Sequence, residues 1–303
     1  MTASPDGVLI VGFGNIGQRV ARTVASSHRV VALIRNSDRK AAVRDCGAAV
    51  WLGDLDEPAS LHHMSAADVP TTIFHFAPPQ ASGLEDVRTA NLLDALASRT
   101  LPQRVVYIST TGVYGDCLGR EIDELSPVNP ESDRAKRRVN AEQQLVAWTS
   151  ARGVALTILR APGIYAEDRL PLKRLRSGTP TIVAVEDSWS NHIHADDLAN
   201  AAVQAMYRTT VSRDAPQLAS IFNIVDDSQL KSGDYFDLVA DHVGLPRPPR
   251  VSRAEAESQA SPGLLSFMRE SRRIDNQKMK SELRVRLAYP TVQAFLAGLR
   301  SAS

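Results

Sequence analysis

Val8–Val20 reads VLIVGFGNIGQRV, and its reading decides the fold. The apolar run Val8–Val11 ends in Gly12-Phe13-Gly14-Asn15-Ile16-Gly17, and the helix-compatible segment Gln18–Ala25 follows. The pattern is a strand, a tight glycine turn and a helix start. Gly12 can take the backbone angles the turn needs. Gly14 lets the main chain approach a pyrophosphate, and Gly17 lets the helix pack against the strand. The free N–H groups of the helix start, at Asn15 and Ile16, then face the phosphates. A GxGxxG spacing alone also describes a glycine-rich turn with no ligand; the strand before it and the helix after it turn the pattern into an expected dinucleotide site.

Strand and helix alternate onward from this unit. The next strand, Val30–Ile34, ends in Ile34-Arg35 with no carboxylate before Asp38. An acidic residue at that strand end would hold the ribose 2′-hydroxyl of NAD. Arg35, Ser37, Arg39 and Lys40 form a basic, hydroxyl-bearing cluster instead, suited to the 2′-phosphate of NADP by guanidinium–phosphate geometry. The same cluster also reads as a solvated helix start, so NADP is the expected cofactor and NAD the alternative. Further strands are expected at Ala48–Leu52, Thr71–Phe76, Arg104–Ser109, Ala155–Leu159 and Ile221–Val225, with helices at Leu84–Ser98, Leu198–Met206 and Tyr235–Val243. Asp54, with Leu55, stands where a strand end reaches the adenine, and Phe76-Ala77 ends a strand beside the glycine loop, where two prolines stop it. His75 and His62-His63 read as a core residue and as surface residues. This alternation implies an α/β doubly wound parallel sheet with ligands beyond the C-terminal strand ends. That is where Thr110-Thr111-Gly112 falls.

Bulk composition excludes several classes. The chain has 303 residues, net charge +1 and two cysteines, Cys46 and Cys117. The charge makes no case for nucleic acid or a membrane surface. Two thiols form neither a disulfide framework nor a metal cluster, and no metal-ligand spacing appears. With no apolar run of about 20 residues and no leader-like start, a cytoplasmic monomer or homodimer acting on a small-molecule substrate is expected.

Five segments in order, Gly12–Gly17, Gly53-Asp54-Leu55, Ser109–Gly115 (STTGVYG), Leu159–Tyr165 (LRAPGIY) and His192–Ala199 (HIHADDLA), resemble the extended short-chain dehydrogenase/reductases, also called the NAD-dependent epimerase/dehydratase family. Arg272–Lys278 and Ala288–Thr291 resemble that family's closing segments, so the likeness runs from Val8 to about Leu299. It implies a dinucleotide-binding unit over 1–165, rejoined by 191–225, and a smaller substrate lobe from 166–190 and 226–303. It further implies that Thr110 hydrogen-bonds a substrate oxygen and that Pro162 lines the nicotinamide end. Thr111 and Gly112 stand where sugar-nucleotide 4,6-dehydratases have an acidic pair, which argues against that reaction.

The chain departs from the family at its acid/base. Anchoring on Ala141-Glu142 puts Arg134 at the position of the usual tyrosine and Arg138 at that of the lysine. An arginine stays protonated and cannot be the general acid/base. One reading is altered chemistry using Thr110, with Tyr165, His192 or His194 as the second polar group. The other is a nucleotide-binding sensor or assembly protein without turnover. Arg169, Lys173, Arg174 and Arg176 read equally as an anion site or a solvated helix face. Pro246–Arg250 reads as a rigid spacer and Glu255–Arg273 as a flap or helix over the pocket.

Overall fold

The computed structural model describes residues 6–63, 70–97, 100–208, 219–259 and 268–299. Five strands open the chain: β1 (Gly7–Val11), β2 (Arg29–Ile34), β3 (Ala49–Leu52), β4 (Thr72–His75) and β5 (Arg104–Thr110). With Ala155–Ala161 and Ala219–Asn223 they form one seven-stranded sheet. Its order is β3-β2-β1-β4-β5, then Ala155–Ala161, then Ala219–Asn223 at the edge, and every pairing is parallel. The order reverses beside β1, so the crevice at that switch point opens over the glycine turn.

A parallel sheet is covered on both faces, and its strands are therefore nearly continuous apolar runs. All of β1 is buried. Side chains alternate across the strand: Val8 and Ile10 join one core with Phe74, Val106 and Leu159, while Leu9 and Val11 join the other with Ile73, Val105 and Leu156. Helices α1 (Asn15–Val24) and α6 (Ala195–Tyr207) cover the first face, where Ala201, Ala202 and Ala205 let them pack closely; the short helices α2 (Lys40–Arg44) and α5 (Leu172–Arg176) lie between them in the chain. Helices α3 (Val87–Ala97) and α4 (Asp133–Ser150) cover the second. A third core joins Tyr165 and Leu175 to Phe236 and Val239 of helix α7 (Ser232–His242) and to Phe295 and Leu296 of the last helix, Val292–Gly298.

The tail is more ordered than its composition suggests. The proline-rich stretch does not end as a free spacer: Arg250–Val251 pairs in parallel with Thr181–Ile182, and Arg250 Nη2 donates to Asp237 Oδ2 at 2.6 Å. The expected flap contains the helix Arg253–Gln259 and the strand Arg273–Ile274, which pairs with Glu121–Ile122; its residues 260–267 and the side chains of His62-His63 lie outside the described residues. His75 is buried and bonds Thr89 Oγ1 at 2.8 Å, as a core histidine should.

Candidate cofactor and substrate site

The glycine turn places each of its glycines for a different steric reason. Gly12 has φ +95°, and a Cβ there would lie 2.4 Å from the Ala77 nitrogen of the neighbouring strand end. A Cβ on Gly17 would lie 2.7 Å from the Gly12 oxygen, so α1 could not approach β1. A Cβ on Gly14 would meet no protein atom within 4 Å. It would project into open space at the start of α1, where no side chain caps the helix. First-turn N–H groups have no partner inside a helix, and they carry its partial positive charge. The vacant volume beside Gly14 and the uncapped helix start fit a pyrophosphate.

That volume belongs to a cavity of about 730 Å³ lined by the expected Gly12, Gly14, Asn15, Ile16, Gly17, Arg35, Asp54, Leu55, Phe76 and Ala77. Ser37 is not among its lining residues; Asn36 and Arg39 are. Asn36 accepts from the Asp38 nitrogen at 2.8 Å and so caps the short turn Ser37–Arg39, which leaves Arg39 to donate to the Phe13 oxygen at 3.2 Å. Arg88 also lines the cavity and holds Asp56 with two bonds of 2.7 and 2.6 Å. The Asn15 side chain donates to Asp168 at 3.0 Å, which pins the glycine turn to the segment Glu167–Arg169.

A second cavity, about 490 Å³, shares Ile164 and Arg169 with the first. Thr110, Arg134, Pro162, Tyr165 and His192 line it. Thr110 ends β5, and its hydroxyl accepts from the Gly112 nitrogen at 3.2 Å. Ser132 caps α4 by accepting from the Ala135 nitrogen at 3.3 Å, which sets the start of the helix. Residues four apart share a helix face, so Arg134 and Arg138 project along one edge of α4. Arg134 lines the smaller cavity; Arg138 lines the dinucleotide cavity and donates to the Ile108 oxygen at 2.8 Å and the Tyr107 hydroxyl at 3.0 Å. Deeper in α4, Glu142 accepts from Arg160 at 3.1 and 2.7 Å and from Ser109 at 2.5 Å, tying the helix to two strands.

Electrostatics separate the remaining polar groups. Burial and the neighbouring Asp226 push the Tyr165 hydroxyl far above its usual range, so it holds its proton. Burial lowers His192 to about 4, and its ring stacks on Tyr235 with centroids 4.3 Å apart. Burial raises Asp226 to about 7. The Tyr165 hydroxyl, His192 Nδ1 and Asp226 Oδ2 are buried without a hydrogen-bond partner among the described residues. His194 is placed differently. It is not a lining residue of either cavity; its Nδ1 accepts from the Asp196 nitrogen at 3.2 Å, capping α6, and its ring packs on Tyr165 and Tyr289.

Several lining residues carried no usable signal in the sequence. Arg88, Trp189, Tyr235 and Glu270 sit in segments without a motif. Arg272 lies in a family-like segment, but only the fold shows that it reaches the Thr110 pocket.

Comparison with known proteins accords with this architecture. The sequence model of the NAD dependent epimerase/dehydratase family matches residues 8–224. A functionally unknown conserved protein from Silicibacter pomeroyi has a similar structure, with TM-score 0.80 and 31% identity over 96% of this chain and 97% of that one. MoeE5, solved in complex with UDP-glucuronic acid and NAD, has TM-score 0.71 and 21% identity over 96% of each chain, a likeness of fold. A putative UDP-glucose 4-epimerase from Methanocaldococcus jannaschii is 21% identical over 211 residues, which are 63% of this chain and 65% of that relative's length. Protein YeeZ of Escherichia coli is 24% identical over 80% of this chain and 85% of its own. With a family match across most of its length and the glycine turn, parallel sheet and strand-end pocket in place, the chain belongs to the NAD-dependent epimerase/dehydratase family.

Proposed function

We propose that this protein is an NADP(H)-dependent oxidoreductase or epimerase-like enzyme acting on a small polar or sugar-derived substrate, with a site that works without the family's tyrosine acid/base. The observation that carries the reading is the junction of two cavities: the one over the glycine turn meets the one below Thr110 at Ile164 and Arg169. A bound dinucleotide supplies a hydride acceptor or donor. The chain's own residues do the rest. Arg35, with Asn36 and Arg39 nearby, holds the 2′-phosphate; Asp54 and Leu55 hold the adenosine end. Arg138 supplies the positive charge that the family's lysine otherwise gives, and Thr110 hydrogen-bonds a substrate oxygen. Tyr165 and His192 are the protic groups left beside that oxygen. UDP-sugar names among the relatives support a sugar-derived substrate.

Residues 166–190 and 226–299 form the substrate lobe in this reading, because Arg174, Tyr235 and Arg272 close the pocket. The buried free thiols Cys46 and Cys117 suit a reducing cytoplasm. Among the described residues no helix is long and apolar enough to cross a membrane. The protein then works as a monomer or homodimer.

One observation favours a second reading, an NADP-binding sensor without turnover: Arg134, which the resemblance sets at the family's tyrosine position, lines the pocket. Hydride transfer from sugar nucleotides to NADP⁺ and from NADPH to small carbonyls, each at saturating cofactor, separates the two. Missing a general acid/base typically costs about 10²–10⁴-fold in rate. We expect slow turnover that Thr110→Val abolishes, and a gain on Arg134→Tyr/Arg138→Lys. Tight NADPH binding with no turnover by either protein supports the sensor.

A further inference from the structure

We propose that the pocket beside Thr110 takes a substrate bearing an oxyanion, a carboxylate or a phosphate ester, next to its reacting carbon, and that Arg134 is the residue that reads it. This deepens the enzyme reading above and rests on it. Arg134 lies among the charges of Arg137, Arg138 and Arg272, with Glu270 the carboxylate opposing them. That carboxylate is shared: Glu270 Oε2 also accepts from Arg272 Nη2 at 2.8 Å, so one negative charge faces two guanidinium groups. Among the described residues that line the pocket, Glu270 is the one acid against Arg134, Arg169, Arg174 and Arg272.

Two of these cations keep a donor in hand. The Arg272 side chain is 9% exposed; its Nη1 donates to the Gly115 oxygen at 2.6 Å, while its Nε has no partner among the described residues. Arg174 lies over the Phe236 ring at 4.3 Å and donates Nη2 to the Pro180 oxygen at 3.3 Å; its Nε too has no partner among the described residues. Gathering like charges in a partly enclosed pocket is unfavourable unless an anion compensates them. A guanidinium meets carboxylate and phosphate oxygens with charge-assisted bonds. The carboxylate that faces Arg134 marks the place: Thr110 Oγ1 and Glu270 Oε2 lie 3.5 and 3.8 Å from one point beside Gly112, so an anion met by Arg134 there sits beside the group whose oxygen Thr110 holds. A remote anion would instead be met at Arg174. Lys173 and Arg176, which flank Arg174, are exposed and take no part.

Calorimetric titration of the NADP⁺-loaded protein with D-glucuronate, D-glucose 6-phosphate and D-glucose tests the proposal. At least one anionic sugar should bind about tenfold or more tightly than glucose, and the stronger of the two identifies carboxylate or phosphate. Arg134→Gln should erase that difference without changing NADP⁺ affinity. Arg134→Lys should keep most of it, and Glu270→Gln should strengthen anion binding. Glucose binding as tightly as either anion, saturation by neither anion at millimolar concentration, or an Arg134→Gln variant that binds the anion like wild type would overturn it. Failure of wild type to bind NADP⁺ counts against the enzyme reading instead; the same titrations without cofactor then still decide the anion question.

Discussion

Arg35 follows the end of β2, exposed on the rim of the dinucleotide cavity, where the strand end itself carries no carboxylate to hold a ribose hydroxyl and the nearby Asp56 is bound by Arg88. Charge-assisted bonds contribute about 1.5–3 kcal/mol, so Arg35→Ala should weaken NADPH binding by about 10–100-fold and leave NADH affinity unchanged. Fluorescence titration with both reduced cofactors measures this. Equal wild-type affinities, or a variant that keeps its preference, would show that Arg35 is only solvated surface. At this scale the glycines were legible because sterics leave no alternative at Gly12 and Gly17. Ser37 was not legible as a bystander: the Asn36 cap turns it away and brings Arg39 to the cavity, and a local side-chain bond of that kind has no periodicity to read. His194 failed as a pocket residue for the same reason, since its ring caps α6.

Helix α4 carries Arg134 and Arg138, which the resemblance sets at the positions of the family's tyrosine and lysine, and the two residues that anchor that alignment, Ala141 and Glu142, are both buried. What the sequence could not convey was Glu142's partners. Its carboxylate meets Arg160 and Ser109 on two strands, with the Arg160 and Glu142 side chains only 4% and 8% exposed. Removing one member of a buried pair leaves the other charge uncompensated, at a cost of about 3–5 kcal/mol. Urea unfolding of Glu142→Gln should show that loss, and Glu142→Leu/Arg160→Met should recover much of it; an unchanged midpoint for the single variant would mean that α4 is held by packing alone. The loop after the edge strand gives a pH effect. Asp226 is raised from 3.8 to about 7 by burial. Between those values the unfolded chain has released a proton that the folded protein keeps, so stability falls as pH rises, by about 1.4 kcal/mol per unit. Below the window both states are protonated, and above it both are ionised, so the contribution is flat. Asp226→Asn removes this component. Thermal melts from pH 4 to 8 should therefore fall more steeply for wild type, and parallel curves would contradict the burial of that carboxyl.

At the scale of the whole molecule, the sheet was legible from strand–helix alternation, because a doubly covered parallel sheet demands apolar strands at regular separation. The substrate pocket was legible only on its strand-end side. Its far wall comes from Tyr235, Glu270 and Arg272, brought to Thr110 by chain that is distant in sequence and follows no repeat. The central claim is that the cavity over the glycine turn binds a dinucleotide through the main chain at Gly14. The most direct measurement is NADPH fluorescence titration of wild type and Gly14→Ala, with the melting temperature of each recorded alongside. A Cβ at Gly14 meets no protein atom within 4 Å, and the change places alanine at a helix start, so folding should be nearly unaffected. The same Cβ would occupy the space proposed for the pyrophosphate, so wild type should bind saturably and the variant about tenfold or more weakly, at a similar melting temperature. Absence of wild-type binding, or identical affinity in the two proteins, would contradict it.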